Sequence, residues 1–205
     1  MRNFPELFKG RNDMHGALID INFNKIGRDG KYTKESTFVY KAPVFDDHLK
    51  GKQKIGIIPF VENDRCHFGA VDIDEYKNFD HKQLIQKLRD KKIPGVVTRS
   101  TNGGAHIWFF FNNPVRSSDL KSKLKAVRQE LGYDADGEVF PKQKVLKEGG
   151  KGNYIYLPYY GKGLDVENKK WTNECDTYGF NDEGKKLLLE EFEEYANEYV
   201  IDGLL

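Results

Sequence analysis

Two aspartates one residue apart, Asp72 and Asp74, close the apolar run Phe68-Gly69-Ala70-Val71-Asp72-Ile73-Asp74. In an extended strand alternate side chains share a face, so both carboxylates point one way and Ile73 the other. Carboxylates roughly 7 Å apart at a strand end can share one or two hard divalent cations. Magnesium favours such a partial cage, completed by water and substrate phosphates. The bland alternative is a strand running into a solvated acidic turn, since Glu75 follows. A third acid would make the site firmer. Glu138, at the start of the short apolar stretch Glu138-Val139-Phe140-Pro141, is the first choice, and Asp136 the second.

A second group lies between the two apolar stretches that follow. Arg99-Ser100-Thr101-Asn102-Gly103-Gly104-Ala105-His106 offers a charge, a hydroxyl, two glycines and an imidazole. Glycines let the backbone approach a ligand and leave N–H groups for an anion. Ser100, Arg99, Gly103, Gly104 and His106 could together hold a triphosphate, with His106 near developing charge or the leaving pyrophosphate. An ordinary hairpin with a satisfied core histidine is the competing reading. No GxxxxGK[ST] phosphate loop occurs in the chain. Beyond Glu138 comes a basic, glycine-rich stretch from Lys142 to Asn153, suited to nucleotide phosphates or a nucleic-acid backbone and able to close over a substrate.

The elements that must position these groups follow from pattern. Strands are expected over 16–23, 36–41, 55–60, 67–72, 96–100, 105–111, 139–140 and 154–157. The 55–60 and 67–72 strands read as a pair around the turn at 62–65. Asp80 can cap a helix carrying Leu84, Ile85 and Leu88. Ser117 or Ser118 can cap a basic helix to Leu131, whose Lys121, Lys123, Lys125 and Arg128 form either a solvated face or the border of a template groove. An acidic amphipathic helix is expected over 182–199. The order strand, helix, strand, strand, helix, strand is that of a split βαβ sheet. The polar first 53 residues or so read as a separate small module.

Bulk properties constrain less. The 205 residues carry a net charge of only +1 despite 32% charged residues, so the location of charge matters more than its sum. Cys66 and Cys175 show no CxxC spacing, so neither a disulfide framework nor a cysteine-based zinc site is expected. No apolar leader begins the chain and no run of about 18 apolar residues occurs, so no membrane span is expected. A reducing cytoplasm is the expected setting.

Taken in order, these segments resemble the archaeo-eukaryotic primase superfamily. Its marks are an Asp-x-Asp/Glu strand, a Ser…His hairpin and a third acid in a later apolar strand. Here these are Asp72-Ile73-Asp74, Ser100…His106 and Glu138. The phrases Leu7-Phe8-Lys9-Gly10-Arg11-Asn12-Asp13, Ile55-Gly56-Ile57-Ile58-Pro59-Phe60, Gly103-Gly104-Ala105-His106-Ile107-Trp108, Val139-Phe140-Pro141-Lys142-Gln143 and Gly152-Asn153-Tyr154-Ile155-Tyr156-Leu157-Pro158 are similar to those of primase–polymerases from TOTE conflict systems and from CRISPR-associated and phage relatives. The resemblance implies an α/β (α+β) fold. An RRM-like catalytic unit, about 54–205 with its C-terminal helix, packs on an N-terminal α/β unit, about 1–53, as one catalytic domain over 1–205 with the site in the cleft between them.

It further implies primase and polymerase chemistry on a single-stranded or primed DNA template, joining NTPs or dNTPs by two-metal phosphoryl transfer with Mg2+ or Mn2+. Asp72, Asp74 and Glu138 would ligate metal, Ser100 and His106 would grip phosphates, and Lys142 and Asn153 would add nucleotide contacts. Helicase, CRISPR-associated or replication proteins are the implied protein partners. Two rivals stand beside this reading. One is a metal-dependent nuclease, which needs the acids but not the phosphate-gripping set. The other is a non-catalytic RRM-like module that stacks bases on Trp108, Phe110 and several tyrosines.

Overall fold

A computed structural model describes residues 1–20, 34–161 and 177–205. In chain order its elements are α1 (Phe4–Leu7), β1 (His15–Asp20), β2 (Lys34–Val39), α2 (Phe45–Leu49), β3 (Ile55–Ile57), β4 (Phe60–Val61), β5 (Arg65–Ile73), α3 (His81–Asp90), β6 (Val96–Arg99), β7 (Ala105–Arg116), α4 (Ser117–Glu130), β8 (Val139–Phe140), β9 (Ile155–Tyr156), α5 (Leu189–Glu198) and β10 (Val200–Ile201). Among the described residues no helix is long and apolar enough to cross a membrane.

The fold is mixed α+β with two sheets. In the larger, β5 and β7 run antiparallel at the centre, with β6 on the far side of β7 and β8 on the far side of β5. The order β8-β5-β7-β6, with α3 and α4 as crossovers, is the split βαβ topology expected from the sequence. Both central strands are nearly continuous apolar runs because both of their faces are covered. Val71, Ile73, Ile107 and Phe109 pack under α3 and α4. Gly69 allows the close approach of α4, since a Cβ there would lie 2.9 Å from Leu124 and 3.0 Å from Leu120. The opposite face, with Phe68, Ala70, Trp108 and Phe110, is covered by Phe4 and Phe8 of the N-terminal segment, by Phe192 of α5 and by the smaller sheet.

That smaller sheet has the order β2-β1-β3-β9. It draws β3 and β9 from beyond residue 53, so the sheets do not divide the chain at that point. The expected pairing of 55–60 with 67–72 takes a different form: 55–57 joins the smaller sheet, and only Phe60 and Val61 pair with β5. Pro59, which has no N–H to donate, stands where the chain changes sheets. The strands at 16–23 and 36–41 are present as β1 and β2, and residues 21–23 lie outside the described residues.

Asp80 caps α3 as expected, accepting from Gln83 N at 2.9 Å. Ser117 does not cap α4. Its hydroxyl donates instead to the Lys144 carbonyl at 2.5 Å, and Arg116 occupies the cap position without a side-chain bond. The C-terminal helix is shorter than 182–199, because Phe180 and Lys186 pair across a turn and the helix begins only at Leu189.

His48 fastens the smaller sheet to α2. Its Nδ1 accepts from Ile55 N at 3.1 Å, so Nε2 carries the proton donated to the Pro158 carbonyl at 2.8 Å. Burial pushes this imidazole down to about 4 from its ordinary 6.5. The unfolded chain therefore binds more protons between those values, and stability is fully present above pH 6.5 and lost as pH falls toward 4. The loss attributable to His48 is on the order of 3 kcal/mol. Urea unfolding at pH 7 and pH 4.5 is expected to show this slope, and His48→Gln should flatten it.

Candidate active site

The sheet registers align the chemistry into one row. Asp72 lies directly across from His106, and His106 from Thr98. On the other side of Asp72, its N–H donates to the Glu138 carbonyl at 3.0 Å. Residues opposite one another in a sheet project to the same face, so Glu138, Asp72, His106 and Thr98 form a row across four strands. It is the row next to the buried one made by Phe140, Ala70, Trp108 and Val96. Asp74 continues beyond the end of β5 on the same side.

Asp72, Asp74, Ser100, His106, Glu138 and Lys142 line one cleft of about 270 Å³. The smaller sheet supplies its other wall through Tyr154, Ile155 and Tyr156, and Tyr76, Thr101 and Asn102 form its lip.

The acids are locally engaged. Lys142 Nζ meets Glu138 Oε1 at 2.5 Å, and the Tyr76 hydroxyl donates to Asp74 Oδ1 at 2.6 Å. His106 Nε2 stands 3.4 Å from Asp72 Oδ1. Burial, then the charges of Asp74 and Glu138, push the Asp72 carboxyl up to about 7. Burial, with Lys54 nearby, pushes His106 down to about 4, so at neutral pH it is an uncharged imidazole with one N–H to donate. Among the described residues no three His, Cys, Asp or Glu side chains converge closely enough to hold a metal ion as they stand.

Arg128 organises the floor from beneath. It is 8% exposed, and its guanidinium donates to the carbonyls of Asp72 and Asp134. A Cβ on Gly137 would fall 2.0 Å from that guanidinium, so any other residue beside Glu138 would have to displace it. Lys121 donates to the Lys142 carbonyl. Two of the four basic residues of α4 thus support the site, which neither expectation for that helix included.

Other expected residues are placed as follows. Ser100 is buried at the cleft edge, but its N–H is bonded to the Gly104 carbonyl and that of Gly103 to the Ser100 carbonyl, so neither faces a ligand. Gly104 is where the hairpin presses on β5: a Cβ would lie 2.2 Å from the Ile73 carbonyl oxygen. Arg99 pairs with Ala105, whose side chain belongs to the helix-covered core, and so lies on the opposite face from His106 and outside the cleft. Asn153 accepts from Gln143 Nε2 and ties the basic loop to the strand before Tyr154, also outside the cleft lining.

Sequence reasoning missed Lys54 and Tyr76, and it named Thr101, Asn102, Tyr154 and Tyr156 only as parts of a loop and a strand, without roles of their own. Tyr76 was findable, since it extends the alternation of 72 and 74. Lys54 was not. It reaches Thr101 Oγ1 at 2.6 Å only because the two sheets meet.

Residues 1–188 match the sequence family described as "TOTE conflict system, Archaeo-Eukaryotic Primase domain". The chain belongs to this family. Of the ordered motifs, Asp72-Ile73-Asp74, Ser100…His106 and Glu138 contribute to the cleft, whereas Lys9 to Asp13 line a different one. Among solved structures, the chain is similar to the AEP domain of the cyanophage S-2L primase-polymerase, with 14% identity and a TM-score of 0.46, covering 93% of this chain and 92% of that one. It is also similar to primase RepB′, with 12% identity and a TM-score of 0.42, covering 91% of this chain and 56% of that one. The catalytic domain of RepB′ in complex with initiator DNA is a further match, with 11% identity and a TM-score of 0.40, covering 91% and 84%. Among curated proteins none matches the chain.

Proposed function

We infer that this domain is a template-dependent nucleotidyltransferase, a primase and DNA/RNA polymerase joining NTPs or dNTPs on a single-stranded or primed DNA template. The observation that carries the reading is the shared row of Glu138, Asp72 and His106, with Asp74 and Lys142 in the same cleft.

The donor set fits Mg2+ or Mn2+: it consists of hard carboxylate oxygens. The elevated Asp72 carboxyl also shows more negative charge than its surroundings stabilise, which a divalent cation would offset. Asp72 and Asp74 would hold such ions, joined by Glu138 once Lys142 turns to a phosphate. Bound there, two divalent ions supply activation of a hydroxyl nucleophile and neutralisation of the departing pyrophosphate. The chain's own groups do the rest. Lys142 is the cation next to the acids and meets triphosphate charge. His106, uncharged, donates a hydrogen bond without competing with the metals as a cation would. Ser100 adds a hydroxyl, and Arg128 fixes the backbone carrying Asp72. Asn153 acts here by holding the basic loop.

Of the rivals, the base-stacking module loses two of its rings, since Trp108 and Phe110 are 0% and 1% exposed, and it leaves the acids of the cleft without a role. The nuclease reading does not account for a lysine and an uncharged histidine beside the acids.

The test is a labelled single-stranded template, with and without primer, incubated with NTPs or dNTPs and either metal. Incorporation that EDTA stops is the expected result. Degradation of template without nucleotides, or incorporation that survives EDTA, would overturn the reading.

A further inference from the structure

The outer face of the smaller sheet carries a feature that the chemistry of the acids does not use. Its inner face, with Ala17, Ile55, Ile57 and Ile155, is core. A sheet face turned away from the core ordinarily bears polar side chains. This one bears aromatic rings laid across a trough of glycine. Phe38 lies opposite Gly16, Gly16 opposite Gly56, and Gly56 opposite Tyr156, one row through all four strands.

The Tyr154 ring lies over the two glycines. A Cβ on Gly16 would fall 2.2 to 2.4 Å from its Cγ, Cδ1 and Cδ2, and one on Gly56 would fall 2.6 Å from Cδ2. Both glycines are required for the ring to lie flat. Phe38 and Tyr156 hold it edge-on from either side, at 5.2 Å and 5.5 Å between centroids. One π-face of Tyr154 is therefore set on the sheet; the half-buried residue packs beside Phe38 and Leu146 on the small cluster of Met14, Ile58 and Phe60, and it also lines the catalytic cleft. Cations border the row at both ends. Lys54 lies 5.2 Å from the Tyr156 ring, and Lys151 lies 5.2 Å and 5.4 Å from the Phe38 and Tyr40 rings. Tyr40, at the far end, is 64% exposed.

We propose that this face is a binding platform for single-stranded nucleic acid, which stacks successive bases on Tyr154 and Tyr40 while Lys54 and Lys151 follow the phosphates into the cleft. The proposal rests on the nucleotidyltransferase reading for its direction, because the platform leads to the acids. Stacking on aromatic faces beside a cationic track is how strands are gripped without sequence preference. The extent of the row favours a strand over a single nucleotide. Four strands span three spacings, roughly 14 Å, more than one base covers.

The test is binding of a short fluorescein-labelled oligothymidylate, read by anisotropy, with neither nucleotides nor metal present. The chain carries Asp72→Asn, so that binding and incorporation are separated. Tyr154→Leu and the folding-neutral Tyr40→Ala are each expected to weaken binding about ten-fold. Lys151→Ala should lower the salt dependence by about one phosphate contact. Native affinity in both tyrosine variants overturns the platform. Failure of the polymerase reading would leave this binding result unchanged, so the two fail separately.

Discussion

Replacing Asp72 with asparagine is expected to reduce nucleotide incorporation on the order of 10³-fold or more while leaving the fold intact or more stable. The two halves of that expectation have one cause. Asp72 sits between His106 and Glu138 in the row that faces the cleft. Burial and two neighbouring carboxylates hold its carboxyl up at about 7. A carboxyl whose folded value is raised stabilises the fold fully only below its ordinary value of 3.8, and that contribution is lost as pH rises through 7. At neutral pH the charge therefore works against folding, and an amide of the same shape relieves it. Primer extension reads the first half and thermal melting the second. A variant that melts well below the parent would make Asp72 a structural residue and remove the ground for a catalytic role.

Trp108→Ala is expected to cost about 3–5 kcal/mol of stability, the usual range for emptying a buried aromatic site. At a few degrees per kcal/mol, that lowers the Tm by about 10 °C. The indole has no exposure, meets Phe8 edge-on at 4.9 Å and donates from Nε1 to Thr98 Oγ1 at 2.8 Å. Truncation leaves a void and strands a buried hydroxyl. Trp108→Phe keeps most of the volume and loses only the donor, so it should fall between alanine and the parent. Chemical denaturation of the three proteins measures the ranking. Equal stability for alanine and parent would contradict the burial of this face beneath the N-terminal segment, α5 and the smaller sheet.

The features legible in sequence were those that depend on local periodicity. Alternation placed Asp72 and Asp74 together, a side-chain oxygen before an amphipathic stretch marked Asp80 as a cap, and a Gly-Gly turn between apolar strands marked the hairpin. What escaped depended on partners far along the chain. Pairing of β3 with β9 across about a hundred residues sets Tyr154 and Tyr156 in the cleft wall, with Lys54 reaching Thr101 at its lip, and local periodicity does not signal it. Arg99 and Ser100 are adjacent, and only the register with β7 shows that Arg99 faces the helices. Arg128 reads as one more surface cation of a basic helix until its guanidinium is found under the Asp72 carbonyl. Trp108 and Phe110 looked like a stacking surface because the elements that cover them lie at the two ends of the chain.

The acid row and the buried row beside it belong to the same strands, two residues apart. A one-residue slip of β5 against its neighbours would reverse every side chain it carries. It would turn Ile73 into the cleft and drive the charges of Asp72 and Asp74 into the apolar layer beneath α3 and α4, where burying a charge is costly. A misaligned domain is therefore also an unfolded one. The stability of the sheet and the alignment of its acids thus rest on the same register.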